Sequence, residues 1–553
     1  MGHGHPHPHP DSHDEGDNGP ASDLSIPDTE LSPAQLSRRG LLRGVGLLGA
    51  SAAAASVLSE EAPAAATQPV GELRWLAGDH HIHTQYSSDG IYRVVDQARH
   101  AQAYGLDWMV VTDHGSNAHA KIGVEKVNPD IRAAREALRD LLIYQGLEWN
   151  IPAAEHGTVF VHAGRNEVAV LKEFENGFDG SVTGTGAPTP ANEAIAAAGI
   201  QFLGAAVRDR RVEGALFLAN HPARRGIDSP HEFRMWRDAD PTVAVGMEGA
   251  PGHQAAGIAA PGGPGSGRGF YSGSPSPASF PGYPLESYRT WGGFDFFTST
   301  VGGLWDSLLA EGKSWWITAN SDSHANYLDT SARGPNSDFE RDGRYNDPVY
   351  GGATLTTAGD FWPGYYSRTH VGSTTNSYRG VLDGLRAGRV WVDHGGLIAK
   401  LDVRARSDRY RSVSLGGVLR VRRGQSVDVT IDIDLATLPN WAQFVPKLAR
   451  VDVIAGDVTG PVSDPDAFTT PNTKLVQSFE VGAGRSRVSF KQTFSNVERP
   501  FYVRVRGTDG NRVAPGFLGA AVDAHGPAMD VLGNADPWKD LWFYANPIFV
   551  LPS

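Results

Sequence analysis

The sequence predicts an α/β protein in which a (β/α) barrel is followed by an immunoglobulin-like β-sandwich. Between residues 73 and 392, short apolar runs alternate with amphipathic stretches of helical period, which indicates strands of a parallel sheet covered by helices. Acidic residues and histidines follow many of these runs, where the active site of such a barrel lies. From residue 401 onward the apolar period changes to two, which is typical of half-buried strands.

The composition limits the classes of function. The 553 residues exceed one ordinary domain, and 40% hydrophobic and 20% charged residues are typical of a soluble globular protein. A formal net charge of −13 argues against binding to a nucleic-acid backbone, which requires a basic surface. Because the sequence contains 0 Cys, only His, Asp and Glu side chains could hold a metal ion.

Residues 1–66 predict a histidine-rich tail and an export signal. Histidines alternate with Pro and Gly in residues 3–13, a composition that cannot form a packed core. Arg38 and Arg39 precede a mild Ala/Gly/Leu run and then small residues, which resembles a twin-arginine signal cleaved after Ala66. An uncleaved membrane anchor or an ordinary basic helix is the alternative. We therefore expect a secreted or periplasmic protein with no stable membrane span.

The most informative stretch follows the first predicted strand, at residues 73–77. His81 and His83 are two residues apart, so an extended backbone points both imidazoles to the same side. Asp79 and Asp89 place carboxylates close to them. Two nitrogen donors beside carboxylates are typical of a metal site. A polar strand end with solvated histidines is the alternative.

Most of the next predicted strands also end at polar side chains. These strands cover residues 106–112, 141–147, 158–161, 215–219, 243–247 and 315–319, and predicted helices cover 91–104 and 129–142. The side chains that follow them are Asp113 and His114, Glu148, Asn220 and His221, Glu248, and Asp322 with His324. One such acid could simply cap a helix, as Asp113 or Asp322 would. That explanation is poor for five strand ends together.

In this order, the motifs resemble those of the polymerase and histidinol phosphatase (PHP) family. They are Asp79-x-His81-x-His83 with Asp89-Gly90, Thr112-Asp113-His114-Gly115, Gly146-x-Glu148, His156, His221-Pro222 and Asp322-x-His324. The resemblance covers about residues 73–392. It implies a distorted (β/α)7 TIM-like barrel that holds two or three divalent metal ions, with Mn, Zn and Fe as the candidates.

The resemblance also implies roles for individual residues. The implied metal ligands are His81, His83, Asp89, His114, Glu148, His156, His221, Asp322 and His324. The first ion would be held by His81, His83, Glu148 and Asp322. Glu148 would bridge to a second ion, which His156 also binds. A third ion and the substrate would lie among Asp89, His114, His221 and His324. The predicted catalytic residues are Glu148, Asp322, His324 and His221.

Two of these assignments leave alternatives. Asp89 stands where the trinuclear phosphatases of the family have a histidine, and it would either ligate a metal or cap the helix that starts near Ile91. His162 is the alternative to His156, although its place inside the apolar run favours a strand histidine. Asp79 and Asp113 are expected to orient imidazoles rather than bind metal.

The sequence leaves the roles of two loops undecided. Residues 251–284 are rich in Gly, Pro, Ser and Ala and predict a surface insertion, with an active-site lid as the alternative. In a lid, His253 and Tyr271 would reach the cleft. Residues 329–349 carry Arg333, Arg341 and Arg344, which would either bind a substrate phosphate or carboxylate or lie in a solvated loop.

Residues 401–553 predict the β-sandwich, after a barrel domain at 67–400. Val427, Val429, Ile431 and Ile433 alternate with polar residues, and turn signals separate several such runs. The aromatic residues near the C-terminus are expected to pack the sandwich against the barrel, with sugar binding as the alternative. These residues are Trp538, Trp542, Phe543 and Tyr544.

The sequence thus predicts a secreted metal-dependent hydrolase that activates water at a cluster of divalent cations. A phosphoesterase acting on a small-molecule ester is favoured. The same cluster would serve a carbamate or carboxylic ester hydrolase, because the pocket rather than the ligands selects the bond. A binding protein without catalysis is the third hypothesis, and retention of nearly every ligand position argues against it.

Overall fold

The computed structural model describes residues 73–271, 273–407 and 412–553. The predicted export signal and its cleavage site therefore lie outside the described residues. The first part of the chain contains β1 (Arg74–Asp79), β2 (Trp108–Val111), β3 (Leu142–Asn150), β4 (His156–Val161), β5 (Ala215–Ala219), β6 (Ala244–Ala250), β7 (Trp316–Ala319), β8 (Ser367–Ser373) and β9 (Val390–His394). Strands β2 and β5 are buried along their whole length, as expected for strands covered on both faces.

Helices connect these strands. They are α1 (Val94–Ala103), α2 (Val124–Ala137), α3 (Glu167–Phe178), α4 (Pro190–Arg208), α5 (Pro230–Ala239), α6 (Phe296–Ser299), α7 (Leu304–Ala310), α8 (Phe339–Asp342) and α9 (Tyr378–Arg386). Helix α5 begins with Ser229 as N-cap, Pro230 in the first turn and Glu232 completing a capping box. In the described part of the chain, no helix is both long and apolar enough to cross a membrane.

The predicted helix at 129–142 is wrong at both ends. Helix α2 begins at Val124, before Pro129, and ends at Ala137. Its buried residues Val124, Val127 and Ile131 recur at helical spacing on both sides of the proline, so burial of this stripe outweighs the hydrogen bond that the proline cannot donate. Residue 142 belongs to β3 instead.

The sheet is mixed rather than purely parallel. Strands β1 to β7 follow one another in order; β1–β2, β2–β3, β5–β6 and β6–β7 are parallel, but β4 is antiparallel to both neighbours. Strands β8 and β9 continue the sheet beyond β1 in antiparallel orientation. The α/β prediction is therefore confirmed, with a large share of parallel strands. Strand β4 departs from the predicted parallel arrangement because the short β3–β4 connection cannot make a parallel crossover.

The chain after β7 returns to the chain after β1. Ile82 forms an isolated parallel bridge with Ser323, and the Asp322 amide donates to the His81 carbonyl at 3.0 Å. These contacts bring the polar residues that follow the first and last strands of the series together, as the barrel prediction requires. Closure into a complete TIM-like barrel stays a prediction.

The regular structure of the C-terminal part consists mainly of strands joined by loops. The strands are β10 (Ile398–Arg406), β11 (Ser412–Ser414), β12 (Val418–Val421), β13 (Val427–Leu435), β14 (Arg450–Asp457), β15 (Lys474–Glu480), β16 (Arg487–Phe494), β17 (Phe501–Thr508), β18 (Val513–Ala514), β19 (Gly526–Pro527), β20 (Trp542–Ala545) and β21 (Ile548–Pro552). A four-stranded sheet with the order β11-β10-β13-β16 shares an apolar core with β12, β14, β17 and β21. This two-layer packing fits a sandwich, and the immunoglobulin-like class stays a prediction.

Hydrogen bonds run across the predicted domain boundary near residue 400. Strand β20 pairs antiparallel with β9, with Tyr544 opposite Val392, so one sheet extends from the first part into the second. Trp542, Phe543 and Tyr544 are buried, and the Tyr544 ring packs on Phe294 with 4.2 Å between centroids. These aromatic residues therefore have the packing role expected from the sequence.

Candidate metal centre

The nine residues expected as ligands lie together at one edge of the sheet. His81, His114, His221 and Asp322 follow β1, β2, β5 and β7 respectively, and Glu148 lies near the end of β3. His156 is the first residue of β4, and it reaches the same edge because β4 runs antiparallel and pairs His156 with Asn150. His162 follows the other end of β4 and lies 3.6 Å from Glu213, so the choice of His156 over His162 agrees with the structure.

Glu148 lies at the centre of the cluster. Its carboxylate is almost fully buried, and imidazole nitrogens approach both of its oxygens. The Asn220 side chain also donates to Glu148 Oε1 at 3.1 Å. The nitrogen-to-oxygen distances are 3.2 Å for His81 and His221, 3.3 Å for His83, 3.0 Å for His114 and 3.1 Å for His156.

Asp322 contacts a second set of imidazole nitrogens. Its Oδ1 lies 3.1 Å from His81 Nε2 and 3.2 Å from His83 Nε2, and its Oδ2 lies 2.7 Å from His253 Nε2. The backbone of Asp322 has φ 49°, in the left-handed region that non-glycine residues rarely adopt. Such strain is typical of functional sites, where the surrounding structure holds the backbone in place.

Asp89 contacts two histidines. Its Oδ2 lies 3.0 Å from His114 Nε2 and 3.4 Å from His324 Nε2, and Ser87 donates to its Oδ1 at 2.6 Å. Helix α1 begins at Val94 with Arg93 as its N-cap. The alternative that Asp89 caps this helix is therefore wrong, and Asp89 faces the cluster.

The arrangement fits divalent cations. His81 Nε2 and His83 Nε2 are 3.0 Å apart, and both lie within 3.2 Å of the buried Asp322 Oδ1, which accepts no hydrogen bond of good geometry among the described residues. Nitrogen and oxygen donors that converge in this way are suited to metal coordination. Four overlapping groups have donor atoms within 4.8 Å of one another: His81, His83 and Asp322; His83, Asp89, His114 and His324; His114, Glu148 and His156; His253, Asp322 and His324.

The electrostatics of the cluster keep its carboxylates ionised. Burial alone would raise the pKa of Glu148, but the surrounding imidazoles, His81 foremost, hold it well below its usual value. Burial would lower the pKa of His81, but the carboxylates of Asp322 and Glu148 raise it well above its usual value. Without a cation the cluster thus holds protons on imidazoles such as His81, and metal binding must displace them.

Glu248 takes the orienting role that the sequence gave to Asp79 and Asp113. Glu248 Oε1 lies 2.7 Å from His81 Nδ1, and its Oε2 accepts from the His221 amide at 2.6 Å. Asp79 instead accepts from the backbone amides of residues 81 and 321, and Asp113 accepts from Thr84. In the described chain neither accepts a hydrogen bond from an imidazole, because their side chains fasten the loops that carry the ligands.

The insertion contributes a wall of the site. His253 is buried there, and its Nδ1 contacts Asp360, whose other oxygen accepts from the His324 amide at 2.6 Å. Tyr271 is also buried, and it donates to Asp295 rather than reaching the ligands. The sequence suggested His253 only for a lid and missed Asp360, which follows no strand and belongs to no motif.

The cleft over the ligands has a volume of about 430 Å³, and Arg224 and Phe270 line it together with the histidines. The arginines proposed from the sequence lie elsewhere among the described residues. Arg333 donates to the Ser88 carbonyl at 3.0 Å, and Arg341 and Arg344 pair with acids of their own loop. Arg224, two residues beyond His221-Pro222, is the arginine that faces the ligands.

One comparison with known proteins agrees with the motifs. The family model of the PHP domain matches residues 79–185, which hold six of the nine expected ligands. One similar solved structure is a two-domain protein from Bacteroides vulgatus ATCC 8482 that contains a predicted PHP-like metal-dependent phosphoesterase. The two sequences are 14% identical, the TM-score is 0.29, and the match covers 83% of this chain and 95% of that chain.

A second similar structure is a protein from Bifidobacterium adolescentis ATCC 15703 assigned as a metal-dependent phosphoesterase. Identity is 16% and the TM-score 0.20, over 31% of this chain and 77% of that chain. No curated protein matches the sequence. The match of the family model to the segment that carries the first six ligand positions confirms the resemblance seen in the sequence: residues 79–185 are similar to the PHP domain.

Proposed function

We propose that the protein is a secreted metal-dependent hydrolase of phosphate esters. The observation that carries this proposal is the buried carboxylate of Glu148, which five imidazoles approach within 3.3 Å in a PHP domain. A carboxylate in such a position can bridge two cations. A scaffold without catalysis has no physical need for so many converging donors, since burying them costs free energy.

The donor groups around the carboxylates overlap. His81, His83 and Asp322 would hold one cation, Glu148 with His114 and His156 a second, and Asp89 with His324 a third. His83 and His114 also lie within reach of the third position, and each would serve one cation at a time. Bound divalent cations would lower the pKa of water and neutralise charge that develops on the phosphate. The pKa of His221 is lowered to about 3, mainly by burial, so its imidazole is neutral and able to ligate a cation or to accept a hydrogen bond.

Arg224 favours a phosphate ester over a neutral ester. Its guanidinium lines the cleft beside the ligands, and its one ion pair in the described chain is with Glu155 at 3.4 Å. Guanidinium groups bind phosphate oxygens with charge-assisted hydrogen bonds. A carbamate or carboxylic ester carries no charge for Arg224 to bind, so the phosphoesterase is the better fit.

The proposal is tested by assaying the mature protein, residues 67–553, after reconstitution with Mn²⁺, Zn²⁺ or Fe²⁺. We expect hydrolysis of phosphomonoesters or phosphodiesters that is abolished by a chelator and restored by metal. Carbamate and carboxylic esters serve as the competing substrates. If carbamate or carboxylic esters are turned over faster than every phosphate ester, the proposal of a phosphoesterase is contradicted.

Changing Asp89 to His should change which metal supports activity. A carboxylate oxygen suits Mn²⁺, whereas a third imidazole beside His114 and His324 suits Zn²⁺. We expect the metal that gives the highest kcat to move from Mn²⁺ towards Zn²⁺ in Asp89→His. The measurement is kcat with each ion in turn, with a melting curve to confirm that folding is intact. An unaltered ranking of the metals would show that Asp89 is no ligand.

We also propose export through a twin-arginine signal. Replacing both Arg38 and Arg39 with Lys preserves the charge, but the precursor should accumulate in the cytoplasm because a receptor reads the arginine pair. The measurement is the ratio of precursor to mature protein in cytoplasmic and exported fractions. Arg43→Lys, just after the pair, is the matched control and should be exported normally. Normal export of the double variant would disprove this signal.

A further inference from the structure

A second cavity adjoins the metal cleft. It also has a volume of about 430 Å³, and it is lined by Arg224, Arg225, Phe270, Ser274, Pro275 and Ser276. Arg224 and Phe270 line both cavities, so they form the boundary between them. The second cavity contains none of the expected metal ligands. A substrate bound at the metal centre can therefore extend past Arg224 and Phe270 into a separate chemical environment.

The second cavity has an excess of positive charge. Arg224 and Arg225 both pair with the buried carboxylate of Glu155, at 3.4 Å and 3.2 Å. No other carboxylate forms an ion pair with either guanidinium in the described chain. The two guanidinium groups share this one carboxylate as their ion-pair partner, and the Arg225 side chain is 56% exposed. This exposed guanidinium is able to bind an anionic group that enters the cavity.

The position of Arg225 is held by the insertion. Ser279 donates to the Arg225 carbonyl, and the Phe280 amide donates to the Gly226 carbonyl at 2.7 Å. Gly226 has φ 62°, which gives the turn after Arg225 a conformation suited to glycine. The arginine is thus presented from a fastened backbone, which lowers the entropy that a ligand must overcome on binding.

Phe270 presents an aromatic ring between the two cavities. Its side chain is 39% exposed, although apolar rings of this size are usually buried. Its backbone has φ 55°, a conformation that is strained for a bulky residue. The ring lies against His253, with 4.6 Å between centroids. Exposure and strain together are typical of a residue that contacts a ligand.

We propose that this cavity is a binding subsite for the part of the substrate that lies beyond the scissile bond. The proposal rests on the proposed function, and it adds a substrate class: an ester whose leaving group carries an apolar or planar portion and, beyond it, an anionic carboxylate or phosphate. The planar portion packs on Phe270, and the anionic group binds Arg225. Arg224 lies with Phe270 at the boundary of the two cavities and faces the bond to be cleaved.

The test compares two ligands that are not hydrolysed. Benzylphosphonate offers a phosphonate and a ring, and 4-carboxybenzylphosphonate adds an anion beyond the ring. Isothermal titration of the metal-loaded mature protein should show about tenfold tighter binding of the carboxylated compound, since tenfold corresponds to one modest charge-assisted hydrogen bond. In Arg225→Ala the two compounds should bind equally well. 1,4-Xylylenediphosphonate, as a third ligand, tells whether the subsite prefers a phosphonate to a carboxylate.

Arg379→Ala is the matched control. Arg379 is an exposed arginine on α9 that pairs with Asp383, and its loss should preserve the tenfold preference. Equal binding of the two phosphonates by the unmodified protein, or binding of neither, overturns the subsite. A preference that survives in Arg225→Ala overturns it as well. Tighter binding of the carboxylated compound without turnover of any phosphate ester would instead contradict the proposed function and leave the subsite standing.

Discussion

Glu148→Ala should remove more than one metal ion from the protein and lower kcat/KM about 10³-fold or more, the loss expected when several kcal/mol of metal-based transition-state stabilisation disappear. The reason is geometric. Both oxygens of this carboxylate lie within 3.3 Å of imidazole nitrogens that belong to different candidate ion sites. Metal content per chain by mass spectrometry and kcat/KM for the best phosphate ester are the measurements.

The control for Glu148→Ala is a buried carboxylate outside the cluster. Glu167 lies on α3 and pairs with Arg135 at 2.8 Å. Glu167→Ala should therefore lower stability but keep the full metal content. Glu148→Gln keeps the size of the side chain but removes its charge, and it should also lose metal. An unchanged metal content in Glu148→Ala would refute the shared role of this carboxylate.

Arg504→Ala should lower the free energy of unfolding by about 3–5 kcal/mol, the cost of leaving a buried charge without its partner. Arg504 Nε and Nη2 donate to the two oxygens of Asp306 at 2.8 Å and 2.7 Å, and both side chains are at most 1% exposed. Tyr502 also donates to Asp306 Oδ1 at 3.0 Å. Since Asp306 lies on α7 and Arg504 on β17, the pair fastens the C-terminal strands to the first part of the chain.

Arg404→Ala is the matched control for this prediction. Arg404 pairs with Asp402 at a similar 2.9 Å, but its side chain is 41% exposed, so its loss should cost at most about 1 kcal/mol. Chemical denaturation of both variants gives the comparison. Replacing Arg504 with Met and Asp306 with Leu together should recover much of the stability, because neither member of the pair is then left buried without its partner. Similar losses for Arg504→Ala and Arg404→Ala would show that the buried pair has no special importance.

Part of the site could be predicted because it follows from local rules. The two-residue spacing of His81 and His83 places both imidazoles on one side of extended backbone. Residues that follow parallel strands meet at one edge of a sheet. For this reason the sequence predicted that Glu148 and Asp322 lie in the same site. The structure places all of these side chains in one cluster, where the sequence expected them.

Other parts depend on contacts between distant segments. The direction of β4 decides that His156, and not His162, reaches the ligands, and apolar alternation is the same for either direction of a strand. The contact of His253 with Asp360 spans 107 residues, between two loops without regular period. The choice of Arg224 over the arginines of residues 329–349 likewise depends on where each loop folds.

The sequence by itself determined the α/β class, since period acts through the chain's own backbone geometry. It also contains the PHP motifs, and the resemblance to that family implied which side chains gather at Glu148. Only the tertiary structure decided that Glu248 holds His81, at 2.7 Å across 167 residues, and that Arg225 and Phe270 form a second cavity. It also decided that β20 extends the sheet at β9. These features arise from packing between segments far apart in the chain, and local patterns do not specify which distant partner a side chain meets.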